Sequence, residues 1–213
     1  GFVIDVGANF GHYALVAARY VGPEGKVIAF EPHGPTYALL LENCALQPAP
    51  TIEPVQAGVA AKDGAMALTG DTANPGGHSF VAANVYGQGA TQSVPVHRLD
   101  SYLATHHAGR PLDLIKIDVQ GLEAQVIKGA TQTIERHRPT IFLEISPGPM
   151  RRAGDDYRAL LTYFDEQEYR ASIIDHDKGV VLAIDYEQAA SRLADPAIEY
   201  LDFLFENGRT GSG

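Results

Sequence analysis

Basic residues are scarce in this chain: 16 lysines and arginines stand against 26 aspartates and glutamates, a formal charge of −10 over 213 residues. A surface that acidic is a poor match for nucleic acid or an anionic membrane, both of which need basic patches. No Lys/Arg cluster runs beyond Arg151-Arg152. Cysteine is nearly absent too. Cys44 is the single one, so no internal disulfide forms, and its apolar helical setting reads as an inert thiol in a reducing, cytoplasmic protein. Long apolar runs and a signal peptide are also missing, so nothing in the sequence points to membrane insertion or export.

What is present is globular in character, with 45% hydrophobic and 20% charged residues, enough for one substantial core. The expected unit is a single domain over residues 1–206. It begins on a strand directly after Gly1, as in a fragment or processed form, and 207–213 is a flexible tail. Apolar segments alternate with helical patterns in βαβα order, the mark of a parallel sheet covered on both faces. Strands are expected at 2–6, 26–32, 112–119 and 140–146, with helices at 12–20, 34–46, 122–136 and 155–168. In the second helix Tyr37, Leu40, Leu41 and Cys44 share one face, as do Leu122, Val126, Ala130 and Ile134 in the third. "TIEPVQAGVA" (51–60) reads as a strand, and "AMALTG" and "QSVPVHRLD" as short strands after it. "RASIIDH" and "GVVLAID" suggest a hairpin about Lys178-Gly179, and "YLDFLFE" (200–206) a last strand. Residues 70–90, rich in Gly, Asn and Ser, are either a long loop covering a site or a disordered insertion.

Ligands of open α/β sheets bind beyond the carboxyl ends of the strands. Four of the expected strands end in polar residues there: Asp5 to Gly7, Glu31, Asp118, and Glu144 with Ser146. The turn after the first strand, Gly7-Ala8-Asn9-Phe10-Gly11, lacks the glycine pattern of a dinucleotide fingerprint and the Lys of a phosphate loop. With Asp5 beside it and no Lys or Arg in sequence until Arg19, it favours a cation over a diphosphate. Asn9 replaces glycine because its short side chain tolerates left-handed backbone angles. Glu31, ending the second strand, suits the two hydroxyls of a ribose. A ligand with a ribose, tolerant of acids and free of pyrophosphate, fits S-adenosylmethionine.

At "VIDVGANFG" (3–11), "VIAFEP" (27–32), "HRLDSYL" (97–103), "LDLIKIDVQGLEAQVIKGA" (112–130) and "PTIFLEIS" (139–146) the chain resembles class I S-adenosylmethionine-dependent methyltransferases, and most of all the FkbM family. That resemblance implies a Rossmann-like, mostly parallel seven-stranded sheet with an antiparallel last strand and helices on both faces. It implies cofactor contacts at Asp5, Gly7, Asn9, Gly11 and Glu31, at Ala57, Gly58 and Val59 for the adenine end, and at Asp118 beside the methyl group. It further implies O-methylation of a hydroxyl on a sugar or natural-product small molecule. Two departures stand out. Gln120 replaces the first glutamate of the family's D-V-E-G-x-E, with Glu123 keeping the second, and the family's usual segment before the first strand is not in this sequence.

Candidates for the base that takes the acceptor proton are Asp118, Glu144 and His78, the last also readable as a plain polar loop residue. His33 is placed to flank the adenosine. Asp118 and Glu144 could hold Mg²⁺, but orienting a hydroxyl explains the pair equally, and no metal is assigned. Nucleic-acid methylation is disfavoured by the absence of an N/D-P-P-Y stretch. Two other readings compete: a cofactor-binding module that does not turn over, and an NAD-dependent oxidoreductase, which the glycine pattern opposes. The sequence leaves the oligomeric state open.

Overall fold

A computed structural model describes residues 1–47, 51–74 and 77–208, with Gln88 described by its backbone alone. Of the expected tail, 209–213 lies outside the described residues. Along the chain β1 (Phe2–Val6) leads through α1 (His12–Ala18) to β2 (Lys26–Phe30), α2 (Gly34–Ala45) and β3 (Ile52–Val55). Three strands follow, β4 (Gly58–Val59), β5 (Gly64–Asp71) and β6 (Gln88–His97), then α3 (Leu99–His106) and β7 (Leu114–Ile117). Next come α4 (Glu123–Gly129), α5 (Thr131–His137), β8 (Thr140–Ile145), α6 (Pro147–Arg152) and α7 (Tyr157–Glu166). The hairpin β9 (Tyr169–Asp175) and β10 (Val180–Ala183), α8 (Tyr186–Leu193) and β11 (Leu201–Asn207) complete the order.

β1, β2, β7 and β8 are parallel, mostly apolar strands that helices cover on both faces, and β3 adds a half-buried parallel edge. The main sheet runs β10-β9-β11-β8-β7-β1-β2-β3, with β11 antiparallel to both its neighbours. It has eight strands rather than seven, because β10 pairs with β9 and extends the edge. Alternate residues show the two covered faces. Val27 and Ala29 pack with Ala14 of α1 and Leu40 of α2, while Ile28 and Phe30 join the cluster under α3, α4, α5 and α7.

Three expectations change in detail. "TIEPVQAGVA" is two strands in two sheets, split where Ala57 N–H bonds back to Val55 O and turns the chain into the small sheet β4-β6-β5. The helix of 122–136 breaks at Ala130. There Gly129 lies so close to β4 that a Cβ would stand 2.2 Å from Ala60 O, and Asp100 caps the new N-terminus by accepting from Thr133 N (2.8 Å) and Gln132 N (3.2 Å). On α2 Leu40 is buried and Tyr37 and Cys44 half-buried, but Leu41 faces outward; all four residues of the other expected face are buried. Burial raises the pKa of the Cys44 thiol, in keeping with an inert residue.

Candidate functional site at the strand ends

The turn after β1 is left-handed at Gly7 (φ 79), Asn9 (φ 52) and Gly11 (φ 97). Gly7 is forced by crowding, since a Cβ there would sit 1.9 Å from the carbonyl oxygen of Asp118. That close approach joins the ends of β1 and β7. The backbone N–H groups of Gly7 and Ala8 both donate to Phe30 O, which fastens β2 to the same turn. Glu31 follows directly. Its Oε2 accepts from Asn9 N (3.0 Å) and its Oε1 from His33 N (2.8 Å), so the carboxylate is held at two points. Burial raises its pKa to about 7, against the lowering effect of those two N–H groups.

Glu31 lies at one end of a cavity of about 380 Å³ and Asp118 at the other. Gly7 and Asn9 line it between them, and Gly58, Val59, Leu68 and Phe80 form an apolar wall. Asp5, Gly11 and Ala57 do not line the cavity: Asp5 and Ala57 are buried, and Gly11 precedes the first turn of α1. The expectation that no basic group meets the turn is corrected by Lys116 of β7. Its Nζ donates to Gly7 O (2.9 Å) and stands 3.3 Å from Asp5 Oδ1 and 3.5 Å from Asp118 Oδ2, with the ring of Tyr13 5.0 Å away. Burial pulls the Lys116 pKa down, but Asp5 and Asp118 together outweigh it and leave the ammonium firmly charged. Burial raises the pKa of Asp5, and Lys116 opposes the rise.

Beyond Asp118 the surroundings are acidic. Glu144 does not line the cavity; it lies opposite Asp202 where β8 meets β11, and accepts from Ser146 Oγ (3.1 Å). Burial, then the charges of Asp118 and Asp202, raise its pKa to about 8. Asp202 pairs with His176 at 2.6 Å. Glu123 is fully buried, accepts from Gly121 N (2.9 Å), and has a pKa raised by burial to about 7, so it braces the Gln120-Gly121 turn from below. Gln120 lines the cavity and its Nε2 reaches Asp118 Oδ1 at 3.4 Å.

His78 lies at the Glu31 end against His33, with ring centroids 3.7 Å apart and planes tilted by 37°. The segment that carries it is ordered by Asp71. One carboxylate there accepts from the N–H groups of Ala73, Asn74, Tyr86 and Gly87, which holds its pKa below the usual range despite the cost of desolvation. Ser79 Oγ and Asn84 Nδ2 both donate to Gln120 O, tying this segment to the Asp118 side as well. Lys116, Asp71, Asn84 and the His176–Asp202 pair were absent from the sequence reading. Only Lys116 carried a signal there, a lone charge inside an apolar strand.

The model of the FkbM methyltransferase domain matches residues 5–171. The chain belongs to the FkbM methyltransferase family. Among curated FkbM-like relatives, methyltransferase sdnD of Sordaria araneosa is 29% identical over 158 residues, covering 62% of this chain and 61% of that protein. The hexuronic acid methyltransferase AglP of Haloferax volcanii is 28% identical over 134 residues, covering 62% and 50%. This chain therefore spans between half and three-fifths of these relatives' lengths. The crystal structure of an FkbM methyltransferase from Methylobacillus flagellatus KT superposes with a TM-score of 0.59 at 15% identity, covering 95% of this chain and 42% of that one, and shows the shared Rossmann-like fold.

Proposed function

We propose that this FkbM-family chain uses S-adenosylmethionine to methylate a hydroxyl oxygen of a small molecule, a sugar or natural product. The observation that carries the reading is one cavity with a doubly anchored Glu31 at one end and Asp118 beside Lys116 at the other. The residues present suit the donor. Glu31 has lone pairs left for two ribose hydroxyls, the Gly58–Phe80 wall takes a flat ring, and the Lys116 ammonium in the lining is already engaged by Asp5, Asp118 and Gly7 O rather than free for a diphosphate. Bound there, S-adenosylmethionine supplies a methyl group on a sulfonium.

The chain's own part is alignment and proton handling. Holding the acceptor in line supplies about 7–11 kcal/mol of the barrier. A base at the acceptor oxygen adds about 10²–10⁴-fold. Asp118 is the proposed base, because it lines the cavity and Lys116 and Gln120 hold it in place. Glu144 and His78 are set aside from that role, the first by its distance from the cavity lining and the second by its place at the Glu31 end. A relative named as a hexuronic acid methyltransferase supports the sugar class. Residues 1–206 act as one unit in this reading, with neither nucleic acid nor membrane as partner.

Calorimetric titration with S-adenosylhomocysteine tests the donor assignment. Micromolar binding that falls at least tenfold in Glu31→Ala, with NADH silent, is expected. Preferential binding of NADH, or no binding of S-adenosylhomocysteine, refutes it. Gln120 favours a second reading, a module that binds the cofactor without turnover, and failure of every hydroxyl acceptor beside tight cofactor binding would select it.

A further inference from the structure

The segment from Ser79 to Asn84 is tied to the Asp118 side by hydrogen bonds to Gln120 O. At the Glu31 end its counterpart is made by imidazoles. Asp71 N donates to His78 Nδ1 (2.9 Å), which places the His78 proton on Nε2. That Nε2 faces Thr36 Oγ1 at 3.5 Å, and Thr36 Oγ1 lies 2.8 Å from His33 Nδ1. The direction of the first bond sets the second, so that His78 donates to Thr36; the Thr36 hydroxyl, with one hydrogen and a second lone pair, completes the bridge to His33. His33 in turn gives its backbone N–H to Glu31.

We propose that His33 and His78 are positioning residues, a clasp that holds the roof of the cavity over the cofactor only while both rings are neutral. The proposal rests on the cofactor reading above and adds to it what closes the Glu31 end. Protonating His78 puts a hydrogen on Nδ1, against the Asp71 N–H that it now accepts. Protonating both rings sets two like charges in contact, with ring centroids 3.7 Å apart. The titratable groups facing the pair are Glu31, through the His33 backbone, and Asp71, at the His78 side. Burial lowers both imidazole pKa values, His78 lowers that of His33 further, and Asp71 pulls that of His78 partly back. The linkage sign follows. The clasp holds above the imidazole range and is lost as pH falls through it, so cofactor affinity falls with it.

Glu31 also titrates, so the test separates the two. S-adenosylhomocysteine affinity is measured at pH 7.5 and 5.5 in the wild type and in His78→Asn and His78→Leu, and read as the ratio of the two Kd values within each protein. Asparagine keeps an acceptor near the position of Nδ1 and removes the titration. Expected is a ratio of about tenfold or more in the wild type, cut at least threefold in His78→Asn, with His78→Leu weaker than His78→Asn at pH 7.5. A wild-type ratio near one, or an unchanged ratio in both variants, overturns the clasp and leaves the cofactor reading standing. Nitrogen NMR of the ligand-free protein gives the independent arm. His78 is expected as the Nε2–H tautomer at pH 7.5, with the Asp71 amide shifting as His78 titrates. The Nδ1–H tautomer, or an Asp71 amide indifferent to that titration, overturns the clasp whether or not the cofactor binds.

Discussion

Gly7 and Gly22 have nearly the same backbone angle, φ 79 and 82, but opposite surroundings. A Cβ at Gly22 meets nothing within 4 Å, whereas at Gly7 it meets the Asp118 carbonyl at 1.9 Å. Substituting alanine at each therefore separates backbone strain from collision. Strain alone costs about 1–2 kcal/mol at either position. At Gly7 the ends of β1 and β7 must also part by about 1.5 Å to restore an ordinary 3.4 Å contact. That is overpacking against backbone, which adds roughly 1–3 kcal/mol or more. The same movement pulls Lys116 Nζ from Gly7 O and Asp118 N from Val6 O, so it reaches the site. Thermal melts should drop by about 2–8 °C for Gly22→Ala and by about 4–20 °C for Gly7→Ala, at the roughly 2–4 °C per kcal/mol of a domain this size. S-adenosylhomocysteine affinity should fall about a hundredfold in Gly7→Ala and stay within threefold in Gly22→Ala, measured on folded protein below both melts. Equal losses from the two substitutions would refute the reasoning, because they would leave strain as the whole effect.

Asp100→Ala removes the acceptor for Thr133 N, Thr133 Oγ1 and Gln132 N, and should cost about 2–4 kcal/mol in urea unfolding. A loss below about 1 kcal/mol would mean that α5 does not need this cap. Glu123, with its pKa raised to about 7 from 4.5, keeps a proton in the folded state that the unfolded chain releases. Stability therefore falls as pH rises from 4.5 to 7, and Glu123→Gln should gain roughly 2–3 kcal/mol on the wild type between pH 4.5 and 8. A pH-independent difference in urea midpoints would contradict that assignment. Asp118→Asn should lower turnover by about 10²–10⁴-fold with an accepted hydroxyl substrate, the loss falling on kcat more than on cofactor affinity. A drop of less than tenfold would remove Asp118 as the base.

The parallel strands were legible because burial on both faces leaves a continuous apolar run, as in "LIKI" and "TIFLEI". The place of Glu31 at the end of the second strand was legible too, but not the Asn9 and His33 N–H groups that anchor it. The splitting of "TIEPVQAGVA" did not, since a turn at Gln56 leaves the apolar pattern intact. The break at Ala130 answers to Asp100, about thirty residues earlier, and the "HRLDSYL" stretch gave no hint that its aspartate caps another helix. α8 was missed although its signal was present: Asp185 accepts from Gln188 N (2.7 Å), a capping pattern readable in "DYEQ". Asp71 and His78 lie at the other extreme. Asp71 holds Ala73 and Asn74 in a local Asx turn, but Tyr86 and Gly87 lie 15 and 16 residues on, and the hydroxyl and ring that meet His78 lie 42 and 45 residues back, so no local pattern records those contacts.

β11 occupies the position between β8 and β9, and every ladder bond joining the β9–β10 hairpin to the main sheet passes through it. A ribosome releases these strands in another order. β8 and the hairpin leave the tunnel first, and some 55 residues separate the end of β8 from the start of the strand that must slot beside it. Until Leu201–Asn207 emerges, Ile141, Leu143 and Ile173 present two unfinished edges that can find each other or a neighbouring nascent chain. Synthesis through this stretch is thus the interval in which the protein is most open to capture by chaperones, and a pause there would lengthen it.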